Sequence, residues 1–210
     1  MSAHNRKNST FIAIGALAIL GLVFAFQWFL QDDEYMIEMK RYRQDLVQMM
    51  RTDPESPVPD SLKKGFPGLD FYEIDKAWRL SAKFEKNPKF QRFNMPRTDG
   101  KNDVYIIAGW AKFRYQSKEY RLTCYQPNSE DSKSLFVPFR DATSGKDTYG
   151  GGRYIDTRLL DGRLTLDFNK AYNPYCVYDY TGYACPVPPE ENTLPFGVEA
   201  GEKNFEWKGI

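Results

Sequence analysis

A run of polar and glycine residues in the middle of the chain has the composition of an anion-binding loop. The run from Pro138 to Tyr154 reads PFRDATSGKDTYGGGRY. Consecutive glycines let backbone N–H groups converge on an anion, and the two arginines, Arg140 and Arg153, could clamp it. The phosphate-binding pattern Gly-x-x-x-x-Gly-Lys-Ser/Thr is absent. The same residues could instead form a tight turn or bulge, with Arg140 and Asp141 paired internally.

A second polar segment, LDFNKAYNPYC, runs from Leu166 to Cys176. It places several hydrogen-bond donors and acceptors close together, although Asn173 before Pro174 is also typical of a turn. The two segments together supply the candidate residues for binding a small anionic or polar ligand. These are Arg140, Asp141, Thr143, Ser144, Thr148, Tyr149, Gly151, Gly152, Arg153, Asp167, Asn169, Tyr172 and Asn173.

Three cysteines offer a different chemistry. Cys176 and Cys185 are close enough in sequence to form a disulfide outside the cytoplasm, and two buried free thiols are the alternative. Cys124 lies on the apolar side of a strand pattern, which predicts a buried thiol. No histidine lies near these residues, so a zinc site or a cysteine nucleophile with a histidine base is not expected.

The overall composition narrows the function further. The only histidine is His4, which excludes zinc sites that need two or three histidines. The chain carries 29 Lys+Arg against 28 Asp+Glu, and this balance argues against a general nucleic-acid binder, which needs a basic surface. We therefore expect no metal, no cofactor and no nucleic-acid partner.

The segments that must position the polar residues have the period-two pattern of half-buried strands. Such patterns occur at 78–84, 104–108, 111–115, 120–124, 135–139, 153–159 and 163–168. Asp161-Gly162 is a hairpin-turn dipeptide, and Gln116–Lys118 joins another pair. Because no helix-length periodic segment separates the strands, the sequence predicts a mainly β fold, an antiparallel β-sandwich or partly open barrel.

The N-terminal part has a different composition. The run 11–30 is almost entirely apolar, follows two basic residues and precedes three acidic ones. Its length predicts an uncleaved signal-anchor helix that crosses the membrane once. The positive-inside rule then predicts a cytoplasmic tail at 1–10 and an extracytoplasmic, periplasmic β domain at 53–210. Apolar residues at helical spacing predict an amphipathic helix or stalk at 31–52. Ala18, Gly21 and Ala25 share one face of this helix, which is typical of docking on a membrane-protein partner and also of ordinary anchors.

Long motifs give the sequence a family resemblance. PFRDATSGKDTYGGGRY, LDFNKAYNPYCVYDY and YACPVPPEENTLPFGVEAGEK resemble a bacterial family, the domain-of-unknown-function family 1684, over about Tyr42 to Lys203. The resemblance implies a mainly β domain but no established activity. It also favours a shared site, and its matched positions include Cys185, Asn192 and Glu202 beside the candidates named above.

Three functional hypotheses follow. The first is an extracytoplasmic binding module for a small anionic or polar ligand. The second is an accessory or scaffold subunit of an envelope membrane complex. The third is a histidine-independent hydrolase, in which acid–base work would fall to Asp141 or Asp167. Its partners would be Ser144, Thr148, Tyr149 or Tyr172.

Overall fold

The computed structural model describes the backbone of residues 3–127 and 134–207, with the side chains of these ranges except 3–18 and 28–33. The chain separates into two compact units, Met1–Asp45 and Leu46–Ile210. One helix, α1, runs without a break from Ala3 to Thr52. It ends before Asp53-Pro54, because a residue that precedes proline disfavours the helical conformation.

The predicted transmembrane helix is wrong. In the part of the chain that the structure describes, no helix is long and apolar enough to cross a membrane. A span needs about 20 consecutive apolar residues, whereas the side chains described within 11–30 are those of 19–27, less than half of that length. The side chains of 11–18 and 28–30 lie outside the described residues. Three predictions that depended on this helix are therefore not supported: the signal-anchor, the single-pass inner-membrane location and the periplasmic placement of the domain.

Two further parts of the N-terminal prediction concern residues 31–52 and the small residues of the helix. Residues 31–52, expected as an amphipathic helix or stalk, form the last part of α1. Gly21 and Ala25 are exposed, and the side chain of Ala18 lies outside the described residues. Docking of a partner on these three residues stays a prediction.

The second unit is built on antiparallel strands that form one nearly closed, barrel-like sheet. The strand order is β6-β5-β4-β3-β1-β7, with β2 paired to β3. Across the open seam, the Thr157 hydroxyl of β6 donates to the Thr165 carbonyl of β7 at 2.9 Å. The strands are β1 Arg79–Lys86, β2 Arg92–Pro96, β3 Asn102–Tyr115, β4 Lys118–Pro127, β5 Ser134–Phe139, β6 Arg153–Arg158 and β7 Arg163–Asp167.

Short helical turns connect and flank the strands. A four-residue helix, α2, spans Asp60–Lys63. Single 3₁₀ turns lie at Lys76–Trp78, Phe168–Lys170, Tyr175–Val177 and Glu190–Asn192. The two predicted hairpin turns are present at Gln116-Ser117 and Asp161-Gly162, where both central residues have positive φ, as a type I′ turn requires.

Two predicted strands, 104–108 and 111–115, are halves of the long strand β3. The pairing with β4 shifts register between Ile107 and Gly109, which marks a β-bulge. A Cβ on Gly109 would lie 2.2 Å from the Glu85 carbonyl oxygen. Glycine at this position therefore lets β1 and β3 approach each other closely where β3 bends.

The interior of the barrel is apolar and aromatic. Phe168 lies at its centre and makes edge-on contacts with Trp78, Phe113 and Phe139. The surrounding buried residues include Ala82, Ala111, Leu122, Cys124, Val137, Ile155, Leu164 and Leu166. A smaller apolar cluster, which includes Met50, Phe66, Tyr178 and Phe205, packs outside this core.

The close approach at Gly109 gives a test of the fold. We expect Gly109→Ala to lower the free energy of unfolding by about 1–3 kcal/mol, because the added methyl overpacks against a strand backbone that has to move. Urea unfolding followed by circular dichroism measures this. Gly65→Ala is the matched control, since its Cβ would meet only the Leu62 oxygen at 3.8 Å. Equal losses for the two variants would contradict the explanation.

Candidate functional site

Arg153, the first residue of β6, lies in the interior of the domain and contacts no solvent. Its guanidinium donates to Asp141 Oδ2 at 3.0 Å, and both side chains are at most 1% exposed. It also donates to the carbonyls of Val198 at 2.8 Å and Glu202 at 3.0 Å, and to that of Ala200. Arg153 thus holds the C-terminal segment 198–202 through its backbone, in the way that it was expected to hold a ligand.

Asp141, the partner of Arg153, also accepts several hydrogen bonds from within the protein. Asp141 Oδ1 accepts from the Thr143 backbone N–H at 2.7 Å, from the Thr143 hydroxyl and from the Val198 N–H at 3.2 Å. The Thr143 hydroxyl also bonds the Thr148 hydroxyl at 2.9 Å. Ser144 Oγ accepts from the Asp141 N–H at 3.1 Å. The loop therefore closes on itself, and its buried polar groups bind each other and the C-terminal segment.

Burial lowers the pKa of Arg153. Desolvation is the main cause, and the charge of Asp141 and the hydrogen bond to it oppose this effect. An isolated arginine at this depth would be strongly unfavourable, so the two charged groups depend on each other. The guanidinium also lies 5.5 Å from the centre of the Phe139 ring.

Glycines in the loop fit the packing of the loop itself. Gly152 has a φ of +94°, and a Cβ there would lie 2.5 Å from the Phe139 carbonyl oxygen. A Cβ on Gly151 would lie 2.3 Å from the ring of Tyr149. Arg140, half-buried, pairs through its backbone with Asn192 and Leu194. The glycine run thus allows a tight turn against neighbouring groups, which is the structural alternative considered from the sequence.

The polar side chains of the second segment lie in three separate places. Asp167 Oδ1 accepts from the Asn169 N–H, and the Asn169 amide bonds both the N–H and the carbonyl of Asp75. This cluster fixes the turn that leads into β1. Tyr172 donates to Asp156 Oδ2 at 2.7 Å on the outer face. Asn173 belongs with the C-terminal segment, because its side chain donates to the Lys203 carbonyl at 2.8 Å.

Glu202 is a buried acid that is not among the thirteen candidate ligand-binding residues. Its Oε2 accepts from the Asn173 N–H at 2.9 Å and from the Tyr178 hydroxyl at 2.7 Å. Burial raises the pKa of Glu202 to about 7, against the opposing effect of these hydrogen bonds and of Arg153. No apolar pattern marks this position as buried, so the family resemblance was the signal in the sequence that could have drawn attention to it.

A solvent-open cleft lies beside this network, on the side of the two neighbouring cysteines. Its volume is about 500 Å³, and we call it the thiol cleft. Of the thirteen candidate ligand-binding residues, Tyr149 is the one that lines it. The lining residues are Arg97, Thr98, Asp99, Tyr149, Cys176, Tyr180, Thr181, Gly182, Tyr183 and Ala184.

Hydrogen bonds hold the walls of the thiol cleft in place. Thr98 and Cys185 exchange two bonds, from the Thr98 N–H to the Cys185 carbonyl and from the Cys185 N–H to Thr98 Oγ1, each 3.0 Å long. Arg97 donates to Asp99 at 3.2 Å and to Asp103 at 3.0 Å. The turn between β2 and β3 is thereby joined to the loop that carries Cys185.

All three cysteines are free thiols, in two different environments. Cys124 is buried in the barrel, as expected, and burial raises its pKa to about 12. The Cys176 N–H donates to the Cys185 sulfur at 3.1 Å. The hydrogen bond between the two side chains lowers the pKa of Cys176 to about 7 and raises that of Cys185. A Cys176–Cys185 disulfide stays a prediction.

Comparisons with known proteins place this domain in a wider group. Residues 64–203 match a family model described as "Protein of unknown function (DUF1684)", which confirms the resemblance seen in the sequence. The matched region contains both polar segments, the thiol cleft and Glu202. No curated protein matches the chain.

A similar solved structure is the solution NMR structure of an uncharacterized protein from Haloarcula marismortui. It is 30% identical in sequence, and the alignment covers 82% of this chain and 96% of that one, with a TM-score of 0.65. The two chains therefore share a fold over nearly the whole length of the Haloarcula marismortui chain.

The buried ion pair leads to a stability prediction. We expect Arg153→Met to lower the free energy of unfolding by about 3–5 kcal/mol, because Asp141 would remain buried without its counter-ion. Arg158→Met is the control on the same strand, where the arginine is exposed and its loss should cost less than about 0.5 kcal/mol. Urea unfolding measures both, and similar midpoints would contradict the role of the pair.

The raised pKa of Glu202 leads to a prediction about pH. Its carboxyl has a pKa of about 7 in the folded chain, against an ordinary value of 4.5. Between pH 4.5 and pH 7 the Glu202 carboxyl keeps its proton in the folded chain and has lost it in the unfolded chain. The resulting contribution to stability is fully present below pH 4.5. It is lost as the pH rises through about 7, which lowers the free energy of unfolding by about 3 kcal/mol.

Glu202→Gln keeps the acceptor oxygen and removes the titration. We therefore expect the loss of stability between about pH 5 and pH 8 to shrink in this variant by up to about 3 kcal/mol. Urea unfolding at several pH values measures it, with the exposed Glu199→Gln as control. The same pH dependence in the wild type and in Glu202→Gln would show that another group is responsible.

Proposed function

The chain belongs to the DUF1684 family of proteins of unknown function, and we propose that its β domain binds a small polar ligand in the thiol cleft. The observation that carries the proposal is the cleft itself, an open concavity of about 500 Å³. Its volume falls in the range of about 300–1,000 Å³ that is typical of small-molecule sites.

The aromatic residues of the cleft favour a ligand with a flat apolar face. Tyr149, Tyr180 and Tyr183 all line it, and Tyr180 is 86% exposed. Tyr183 is held edge-on against the ring of Tyr175, with centres 5.5 Å apart. Tyrosine offers an apolar ring and a polar hydroxyl, so these side chains suit a ligand that has both kinds of surface.

The charges in the cleft favour a neutral ligand over an anion. Arg97 contributes a positive charge, but Asp99 and Asp103 lie within hydrogen-bond distance of its guanidinium. Thr98 and Thr181 add hydroxyl groups to the lining. Paired charges and hydroxyls can exchange hydrogen bonds with a hydroxylated molecule, whereas an anion would meet the carboxylates. A hydroxyl-bearing ring, as in a saccharide unit, fits this combination best.

The proposal keeps one part of the sequence-based hypothesis and moves another. A small polar ligand was expected at the two polar segments, but most of their side chains are bonded internally, as the contacts of Asp141 and Arg153 show. Tyr149 is the contribution of the first segment to the thiol cleft. The accessory-subunit and hydrolase hypotheses stay predictions.

Hydrogen bonds within the protein hold the loops on both sides of the thiol cleft, and this rigidity supports binding. Asp179 accepts hydrogen bonds from the Thr181 and Gly182 N–H groups, both 3.0 Å long, which fixes the loop that carries Tyr180. The bonds between Thr98 and Cys185 fix the opposite wall. A preformed cleft spares the ligand the cost of ordering these loops.

The proposal predicts binding of a neutral saccharide to the full chain. We expect a panel of mono- and disaccharides to shift NMR signals of cleft residues, with a dissociation constant in the millimolar range, about 4 kcal/mol of binding free energy. Tyr180→Ala should weaken this binding about fivefold, because one ring–ligand contact is worth about 1 kcal/mol. Phe90→Ala, an exposed aromatic outside the cleft, should leave it unchanged.

Three outcomes would overturn the proposal. One is that no saccharide in the panel shifts the signals of the cleft. The second is that phosphate, sulfate or acetate shifts those signals while the neutral sugars do not. The third is unchanged saccharide affinity in Tyr180→Ala.

A further inference from the structure

Two of the three cysteines are brought together beside the thiol cleft, which Cys176 lines. The 3₁₀ turn Tyr175–Val177 presents Cys176, and the chain then folds back through a turn in which the Tyr183 N–H bonds the Asp179 carbonyl at 3.2 Å. This return places the Cys185 sulfur 3.1 Å from the Cys176 backbone nitrogen. Side chains nine positions apart thus face each other across one short loop.

The two thiols differ in their access to solvent. Cys176 lines the cleft and is 9% exposed, whereas Cys185 does not line it and is 5% exposed. A molecule that enters the cleft therefore meets Cys176 first, with Cys185 beside it. This is the arrangement of a reacting thiol with a resolving thiol beside it.

We propose that Cys176 and Cys185 form a reversible redox pair, which a low-molecular-weight disulfide oxidises through the thiol cleft. This activity does not depend on the saccharide-binding proposal, because it uses the two sulfurs and requires only that the cleft be open.

The chemistry proceeds in two exchange steps. The Cys176 thiolate attacks one sulfur of the small disulfide, so that a mixed disulfide forms on Cys176 and one small thiolate leaves. Cys185 then loses its proton and attacks the Cys176 sulfur, which breaks the mixed disulfide and releases the second small thiolate. The two cysteines are oxidised to a disulfide, and the small disulfide is reduced to two thiols, each of which ends with one proton.

The protonation of the pair agrees with these roles. The pKa of Cys176 is lowered to about 7 by the hydrogen bond from Cys185, which makes a substantial fraction of it thiolate at neutral pH. The pKa of Cys185 is raised, first by that same hydrogen bond. Cys185 therefore stays a thiol until Cys176 has reacted, and Cys124 is shielded by the barrel core.

Oxidised glutathione is the probe for the test, applied to the reduced full chain under native conditions. Trypsin digestion reports the result, because Cys176 and Cys185 share the peptide 171–203 while Cys124 lies in 122–133. In the wild type we expect peptide 171–203 to lose two hydrogen atoms in mass, to carry no lasting glutathione and to recover on reduction.

Single substitutions separate the two steps. Cys185→Ser should retain one glutathione on Cys176, because the resolving thiol is gone. Cys176→Ser cannot form the internal disulfide, and its peptide 171–203 should take up glutathione much more slowly than the wild-type peptide reacts. Cys124→Ser is the matched control and should behave as the wild type does. An unmodified Cys185→Ser protein that is folded by circular dichroism, or a disulfide that includes Cys124, would overturn the proposal.

Alkylation of the wild-type chain tests the order of reactivity without a variant. Iodoacetamide should modify Cys176 before Cys185, and Cys124 only after unfolding in urea. The rate at Cys176 should rise as the pH passes through about 7. Modification of Cys185 before Cys176, or equal rates at all three cysteines, would overturn the proposed pair.

Discussion

The ion pair between Asp141 and Arg153 is the contact on which the arrangement outside the barrel depends. Both groups are buried, and most of their other hydrogen bonds go to backbone: Arg153 donates to carbonyls of the segment 198–202, and Asp141 accepts from the N–H of Val198 and of Thr143 in its own loop. Arg153 Nε makes no hydrogen bond to any residue that the structure describes. A buried charge without these bonds would cost several kcal/mol. These hydrogen bonds can form together in only one position of the C-terminal segment. The same pair also holds the loop 141–148 in place.

The C-terminal segment carries this constraint to distant parts of the chain. Glu202 accepts hydrogen bonds from Asn173 and Tyr178, which fixes both ends of the turn that contains Cys176. The backbone of Lys203 bonds Asp70, and that of Asn204 bonds Asp147. Residues that are far apart in sequence are thus tied to one extended segment. Ordinary strand pairing closes most of the barrel, whereas this polar network orders the loops around it.

The sequence predicts the barrel better than it predicts the site, and the reason is physical. Alternating apolar residues reveal which side of a strand faces the core, so the strands around Leu122 and Leu164 could be recognised. An apolar run alone indicated a transmembrane helix, which the structure does not support. Buried polar groups have no such periodicity. Arg153 and Asp141 look the same in sequence whether they bind a ligand or each other, and only the position of residues 198–202 decides between the two.

The same distinction explains why most side chains of the two polar segments do not line the thiol cleft, to which these segments contribute Tyr149 and Cys176. Side chains whose hydrogen bonds are all made inside the protein give rigidity, but they have little capacity left for an incoming molecule. The thiol cleft is different, since its tyrosines and the Cys176 sulfur border open space. Asn173 and Tyr178, which flank Cys176 in the chain, are both anchored to Glu202. The network therefore holds in place the turn that sets Cys176 against Cys185.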